Sequence, residues 1–182
     1  MKIIGLTGGM LSGKTEVLKF FRKLGAEVLD ADAVVARLLE KAAVQKKLIK
    51  EFGFADKENL KKVLADPARR KKLESILHPL VWLEGKKVIK TSRAGIIVFE
   101  APLLFEAGWE KYFDLTLCVV YDGDIAARLK KRGFDKKDYD VRSRAQMTPA
   151  EKAKRADIVV VNGGSLKDLE VKIKHIYKIL EK

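Results

Sequence analysis

Residues 8–15 read GGMLSGKT. A glycine, four residues and then Gly-Lys-Thr is the spacing of a loop that wraps a phosphate group. The flanks supply the context the motif needs. The apolar run KIIGLT (2–7) reads as a strand before it, and Val17, Leu18, Phe21 and Leu24 recur at helical spacing after it. Glycines in such a bend let backbone N–H groups converge on an anion. A helix starting near Gly13 adds the positive end of its dipole. Lys14 then reaches the β- and γ-phosphates of a nucleotide, and the Thr15 hydroxyl is a magnesium ligand. Two residues are awkward here. Met10 has room to turn into a core. Leu11 is strained on the order of 1 kcal/mol or more if its place in the bend demands a positive φ.

Four more short apolar runs follow: EVLD (27–30), GIIVFE (95–100), LTLCVVY (115–121) and DIVVVN (157–162). All five are apolar along most of their length rather than alternating, which marks strands covered on both faces. Helical patterns separate them, the last carrying Leu166, Leu169, Ile173, Ile176 and Leu180 on one stripe. The expected fold is a single α/β domain of P-loop NTPase type: a doubly wound, parallel, five-stranded sheet with helices on both faces. Two intervals fall outside simple crossovers. Residues 36–92 read as a helical insertion, and residues 133–150 as an irregular polar stretch broken by Gly133 and Pro149.

The chain has 182 residues and a net charge of +13, from 38 Lys and Arg against 25 Asp and Glu. Residues 128–155 alone hold eleven basic against four acidic residues. This balance suits a polyanionic partner, either nucleic acid or a small polyphosphate. No basic motif interleaved with aromatics, of the kind that binds RNA, accompanies it, so no nucleic-acid partner is expected. The single cysteine, Cys118, sits in an apolar run and reads as inert core. No His/Cys cluster suggests zinc. The opening MKIIGLTGG is too short and too interrupted for a signal peptide, and no apolar run has the length of a membrane span. A soluble, cytoplasmic, monomeric protein is expected.

The second strand ends in Asp30-Ala31-Asp32, at the sheet edge where open α/β folds bind ligands. One carboxylate there is suited to accept a proton from an attacking hydroxyl while the other caps the next helix; the alternative is that both only cap. Glu100 ends the third strand and is a candidate for the acceptor or a metal-bound water, whereas Glu106 reads as surface. Arg128 and Arg132, four apart on one helix face, suit a polyphosphate or are simply solvated. His78 before Pro79 reads, on its own, as a helix-end histidine without a ligand role.

Taken together, these segments resemble the dephospho-coenzyme A kinase family. The likeness runs nearly end to end through IGLTGG and SGKT (4–9 and 12–15), LGAEVLDAD (24–32), LESILHPLV (73–81), EAPLLFEAG (100–108), RLKKRG (128–133), the Arg142-to-Gln146 spacing and KRADIVVVNGGS (154–165). The resemblance implies ATP-dependent phosphorylation of the ribose 3′-hydroxyl of dephospho-CoA, with magnesium, giving coenzyme A and ADP in the last step of coenzyme A biosynthesis. It implies a coenzyme A-binding helical section at about 36–92 and a lid at about 133–152. Asp32 would be the general base, with Lys14 and Arg142 completing the catalytic set. Gly9, Met10, Leu11, Ser12, Gly13, Lys14, Thr15 and Glu16, with Arg132, Asn162 and Gly164, would hold ATP. Thr7, Asp32, His78, Pro79, Glu100 and Leu104 would lie on the acceptor side, and Thr15 would meet the metal.

The chain departs from the family pattern in three places. Leu11 stands where a glycine is usual, Glu16 where a small hydroxyl residue is usual, and Ala36 where Arg or His is frequent, with Arg37 one position on. These bear on affinity and rate more than on reaction class. The remaining readings are another small-molecule or nucleotide kinase on the same fold, and a non-catalytic module that binds a nucleotide or nucleic acid.

Overall fold

The computed structural model describes every residue except Ala145, and every side chain but those of Arg132, Asp138, Val141 and Arg142. The chain divides into two compact units, Asp30–Thr91 and the remainder, Met1–Leu29 with Ser92–Lys182.

In the larger unit the five apolar runs are the five strands, each end within one residue of the sequence reading: β1 (Lys2–Gly8), β2 (Glu27–Asp30), β3 (Ile96–Glu100), β4 (Leu115–Val120) and β5 (Ile158–Val161). They form one parallel sheet in the order β2-β3-β1-β4-β5. Because strand side chains alternate between faces, β1 splits cleanly. Ile4 and Leu6 join Ile96, Val98, Leu117 and Val119 under α1 (Lys14–Lys23) and α9 (Leu166–Leu180), whose Val17, Phe21, Leu169 and Ile173 fill that side of the core. On the other face, Phe99 packs on Trp109 and edge-on to Phe113, both with ring centroids 5.9 Å away. Leu104 and Phe113 close over Gly5, and α8 (Pro149–Arg155) packs against β1 and β4 on the second face. Fully buried aliphatic side chains each contribute about 1.5–3 kcal/mol, so these two layers hold the sheet. Asp157 ties β5 to β4: its carboxylate accepts from the Thr116 amide and hydroxyl, both at 2.7 Å, and those bonds hold it below the ordinary carboxylate range.

Two expectations are corrected. Leu166 is exposed rather than part of the α9 stripe, because it is the first helical residue, next to the Ser165 cap, ahead of the turns that reach the sheet. The interval 133–150 is not irregular. It carries α7 (Lys136–Arg144), which starts as Asp135 accepts the Lys137 amide at 2.8 Å. Pro149 breaks nothing: it opens α8, where the proline ring is tolerated, behind a reciprocal Thr148–Glu151 capping box. The preceding α6 (Ile125–Arg132) ends at Gly133 in the left-handed conformation.

The smaller unit is helical: α2 (Ala31–Leu39), α3 (Ala42–Phe52), α4 (Lys57–Val63) and α5 (Pro67–Thr91). Its core joins Val34, Leu38, Val44, Leu48, Leu60, Val63, Leu73, Leu77 and Val81. Asp30, Asp56 and Asp66 accept amides at the starts of α2, α4 and α5. Pro79 does not end a helix: α5 runs through it, so His78 is mid-helix and half-buried rather than at a terminus. No helix among the described residues is long and apolar enough to cross a membrane.

Candidate functional site

The loop after β1 is held by its carbonyls. Lys14 Nζ donates to the Gly8 and Gly9 carbonyls at 3.1 and 3.0 Å. The Leu11 carbonyl accepts from Arg128 Nη1 at 2.7 Å, and the Ser12 carbonyl accepts from Asn162 Nδ2 at 2.7 Å. The Gly13 carbonyl takes the Glu16 and Val17 amides of the first helical turn. The Ser12 amide donates to the Gly9 carbonyl at 3.2 Å within the bend, and α1 begins at Lys14 with the N–H groups that a helix start leaves without intrahelical acceptors. A helix start of this kind suits a phosphate group.

Gly13 is required twice over. Its φ is 104°, and a Cβ there would stand 2.2 Å from Asn162 Nδ2. Asn162 is itself buried and fixed by its amide bond to the Val120 carbonyl at 2.7 Å, so the end of β5 sets the loop's second half. Gly164, two residues on, lies beside the Asp168 carboxylate that caps α9.

Leu11 has φ 62°, and it is the one non-glycine residue with positive φ among the described residues. Arg128 meets its carbonyl while lying flat on Tyr121, 3.3 Å from the ring centroid. Of the two readings for Arg128, the solvated side chain does not describe it: the side chain is half-buried and braces the loop. The Leu11→Gly variant should keep every carbonyl bond and gain about 1 kcal/mol of stability or less. Relief of left-handed strain, about 1–2 kcal/mol, is offset by the larger unfolded-state freedom of glycine, about 0.5–1 kcal/mol. Urea unfolding measures it, and a loss of more than about 1 kcal/mol would show that the leucine side chain itself holds the loop.

The other candidates fall as follows. Met10, Leu11 and Glu16 are half-buried and Thr15 is exposed. Glu16 pairs with Lys19 at 2.9 Å on the helix surface. Thr7 is fully buried and donates from Oγ1 to the Pro102 carbonyl at 3.3 Å, beside buried Glu100 and Leu104 at the carboxyl end of the sheet. Arg142 belongs to α7 and Arg132 ends α6, and both side chains lie outside the described parts. In the helical unit, Asp30 is the N-cap of α2, accepting the Ala33 amide at 3.1 Å. Asp32 is exposed in the first turn. Burial pushes the His78 imidazole below its ordinary value, which disfavours a charged role. Burial likewise pushes the Cys118 thiol up to about 11, as an inert core thiol requires. Among the described residues no group of three or more His, Cys, Asp or Glu is placed to hold a metal.

Two side chains of this region make contacts that the sequence does not announce. Lys152, one of three lysine or arginine residues within KAKR, is completely buried. Glu106 is exposed, as read from sequence, and its carboxylate accepts from Lys152 Nζ at 3.0 Å and from the Met147 amide at 2.7 Å. A basic run gives no sign of which member points inward.

A protein-family model described as dephospho-CoA kinase matches residues 2–168. The chain is 38% identical over 181 residues to a dephospho-CoA kinase of Symbiobacterium thermophilum, covering 91% of this chain and 76% of that one. It is 39% identical over 181 residues to a dephospho-CoA kinase of Thermus thermophilus, covering 96% and 89%. Among solved structures, TT1252 from Thermus thermophilus superposes with a TM-score of 0.83 at 38% identity, covering 98% of this chain and 97% of that one.

Proposed function

The chain belongs to the dephospho-CoA kinase family, and on that footing we propose that it transfers the γ-phosphate of ATP to the ribose 3′-hydroxyl of dephospho-CoA. The observation that carries this reading is the family match over residues 2–168, which spans both the phosphate loop and the Asp30–Asp32 turn. The loop amides and the Lys14 ammonium bind the β- and γ-phosphates and meet the charge that spreads over the transferred group. Asp32 takes the proton of the 3′-hydroxyl as its oxygen bonds to the γ-phosphorus, the bond from the γ-phosphorus to the β–γ bridging oxygen breaks, and ADP leaves. Thr7, Glu100 and Leu104, with His78 and Pro79 of the helical unit, serve the acceptor.

Magnesium would meet the Thr15 hydroxyl. A single exposed hydroxyl, with no cluster of three or more His, Cys, Asp or Glu among the described residues, suits an ion that keeps its waters and binds mainly through substrate phosphates. When bound, it would supply charge neutralisation to the nucleotide phosphates. We assign residues 36–92 to coenzyme A binding and about 133–152 to a lid that carries Arg142, with Arg132 among the residues for ATP and Asn162 and Gly164 near the adenine.

The reading is tested by incubating the protein with magnesium-ATP and dephospho-CoA, beside a panel of nucleosides and small alcohols, and following ADP and coenzyme A together. Equal amounts of the two, with dephospho-CoA preferred, are expected. Turnover of another acceptor with no coenzyme A formed would sink it.

A further inference from the structure

Lys152 has no solvent exposure, yet it carries a long cationic side chain. Its ammonium donates to the Pro102 carbonyl and lies 3.0 Å from Glu106 Oε1. Both acceptors belong to the loop that follows β3 and contains Leu104. The Pro102 carbonyl is shared with Thr7 Oγ1 from the end of β1. The Glu106 oxygen is shared with the Met147 amide, at the last turn before α8. One ion pair thus joins the loop after β3, the end of β1 and the segment leading out of α7. Arg155, one helical turn further along α8, adds a pair with Glu110, a sulfur contact to Met147 at 3.7 Å and a stack on Phe105 at 4.9 Å. The α8 helix also touches the phosphate loop, because a Cβ on Gly9 would stand 2.9 Å from Pro149 Cγ.

We infer that Lys152 and Glu106 are positioning residues, a clamp built on a buried ammonium that sets the 101–108 loop for the acceptor and fixes the C-terminal anchor of the basic segment 133–147. The phosphate loop has its own braces in Lys14, Arg128 and Asn162, and the N-terminus of α8 is capped independently by Thr148 and Glu151. Breaking the clamp therefore acts on the acceptor before it acts on ATP. An ion pair with a buried ammonium is weak evidence for stability, since a neutral pair of similar volume often folds as well. That leaves a role in placement for the charge and its fork of bonds.

The test uses Lys152→Met, Glu106→Gln and the double variant in the full chain. Glu106→Gln is the mild case, because its amide oxygen still accepts from Met147. KM for dephospho-CoA should rise about tenfold or more in each single variant, with KM for ATP within about twofold, since small misplacements are costly in rate and binding. The double variant should regain thermal stability through charge neutrality while its acceptor KM stays raised. Wild-type kinetics in a stable double variant, or equal rises in both KM values, would overturn the inference. It rests on the acceptor assigned above, so hydrogen exchange over residues 101–108 is read in the same proteins without substrate. Faster exchange in the single variants supports the clamp whatever the acceptor, and unchanged exchange refutes it even if the wild type makes coenzyme A.

Discussion

Lys14→Ala is expected to lower kcat/KM by roughly 100- to 1,000-fold, the scale of losing one positioned donor to a developing oxyanion. The amine bridges the Gly8 and Gly9 carbonyls from the first residue of α1, which puts its charge at the bend that the loop motif assigns to phosphate. Two effects of the substitution must be separated. Loss of the bridge loosens the loop, and loss of the charge removes stabilisation of the transferring group. Loosening alone would raise KM for ATP and leave kcat. Loss of the charge lowers kcat as well, because that interaction strengthens as the bridging bond breaks. The Arg128 and Asn162 braces stay in place, so the thermal midpoint should move only slightly. A variant with wild-type kcat and raised KM for ATP would show that Lys14 acts only as a loop tie.

The sheet was legible because a strand covered on both faces must be apolar throughout, and five such runs are short, β-branched and bounded by polar residues. The phosphate loop was legible for a related reason: its glycines and its lysine answer to backbone geometry and one ligand. Legibility ends where a residue's role depends on a distant neighbour. Nothing in KKDYDVRSR marks α7, since the stretch has no apolar stripe and its start depends on the Asp135 cap. Pro79 argued for a helix end, yet α5 passes through it, held by Leu73, Leu77 and Val81 in the core of its unit. Lys152 is one of several cations in a basic run, and only the loop after β3, which supplies its partners, shows which of them is buried. Leu11 shows the limit from the other side. Its backbone strain was foreseen from the loop pattern, but the brace that meets it comes from Arg128, 117 positions away.

Asp32→Asn is the sharpest test of the proposed chemistry, because its neighbour supplies the control. Both carboxylates sit at the start of α2, where the helix's positive end favours negative charge. Capping has been taken by Asp30, whose Oδ1 accepts the Ala33 amide, and Asp32 lies in the exposed first turn. If Asp32 only served the helix, replacing it would alter stability and leave the rate. If it receives the 3′-hydroxyl proton, the isosteric amide leaves binding intact and removes the base, and kcat should fall by about 100- to 10,000-fold, the usual worth of general base catalysis. Asp30→Ala should do the reverse, costing about 1 kcal/mol of stability through the lost cap with kcat little changed. Measured side by side, the two variants assign the two carboxylates. Full kcat in Asp32→Asn would remove the base from this residue even if coenzyme A were still the product.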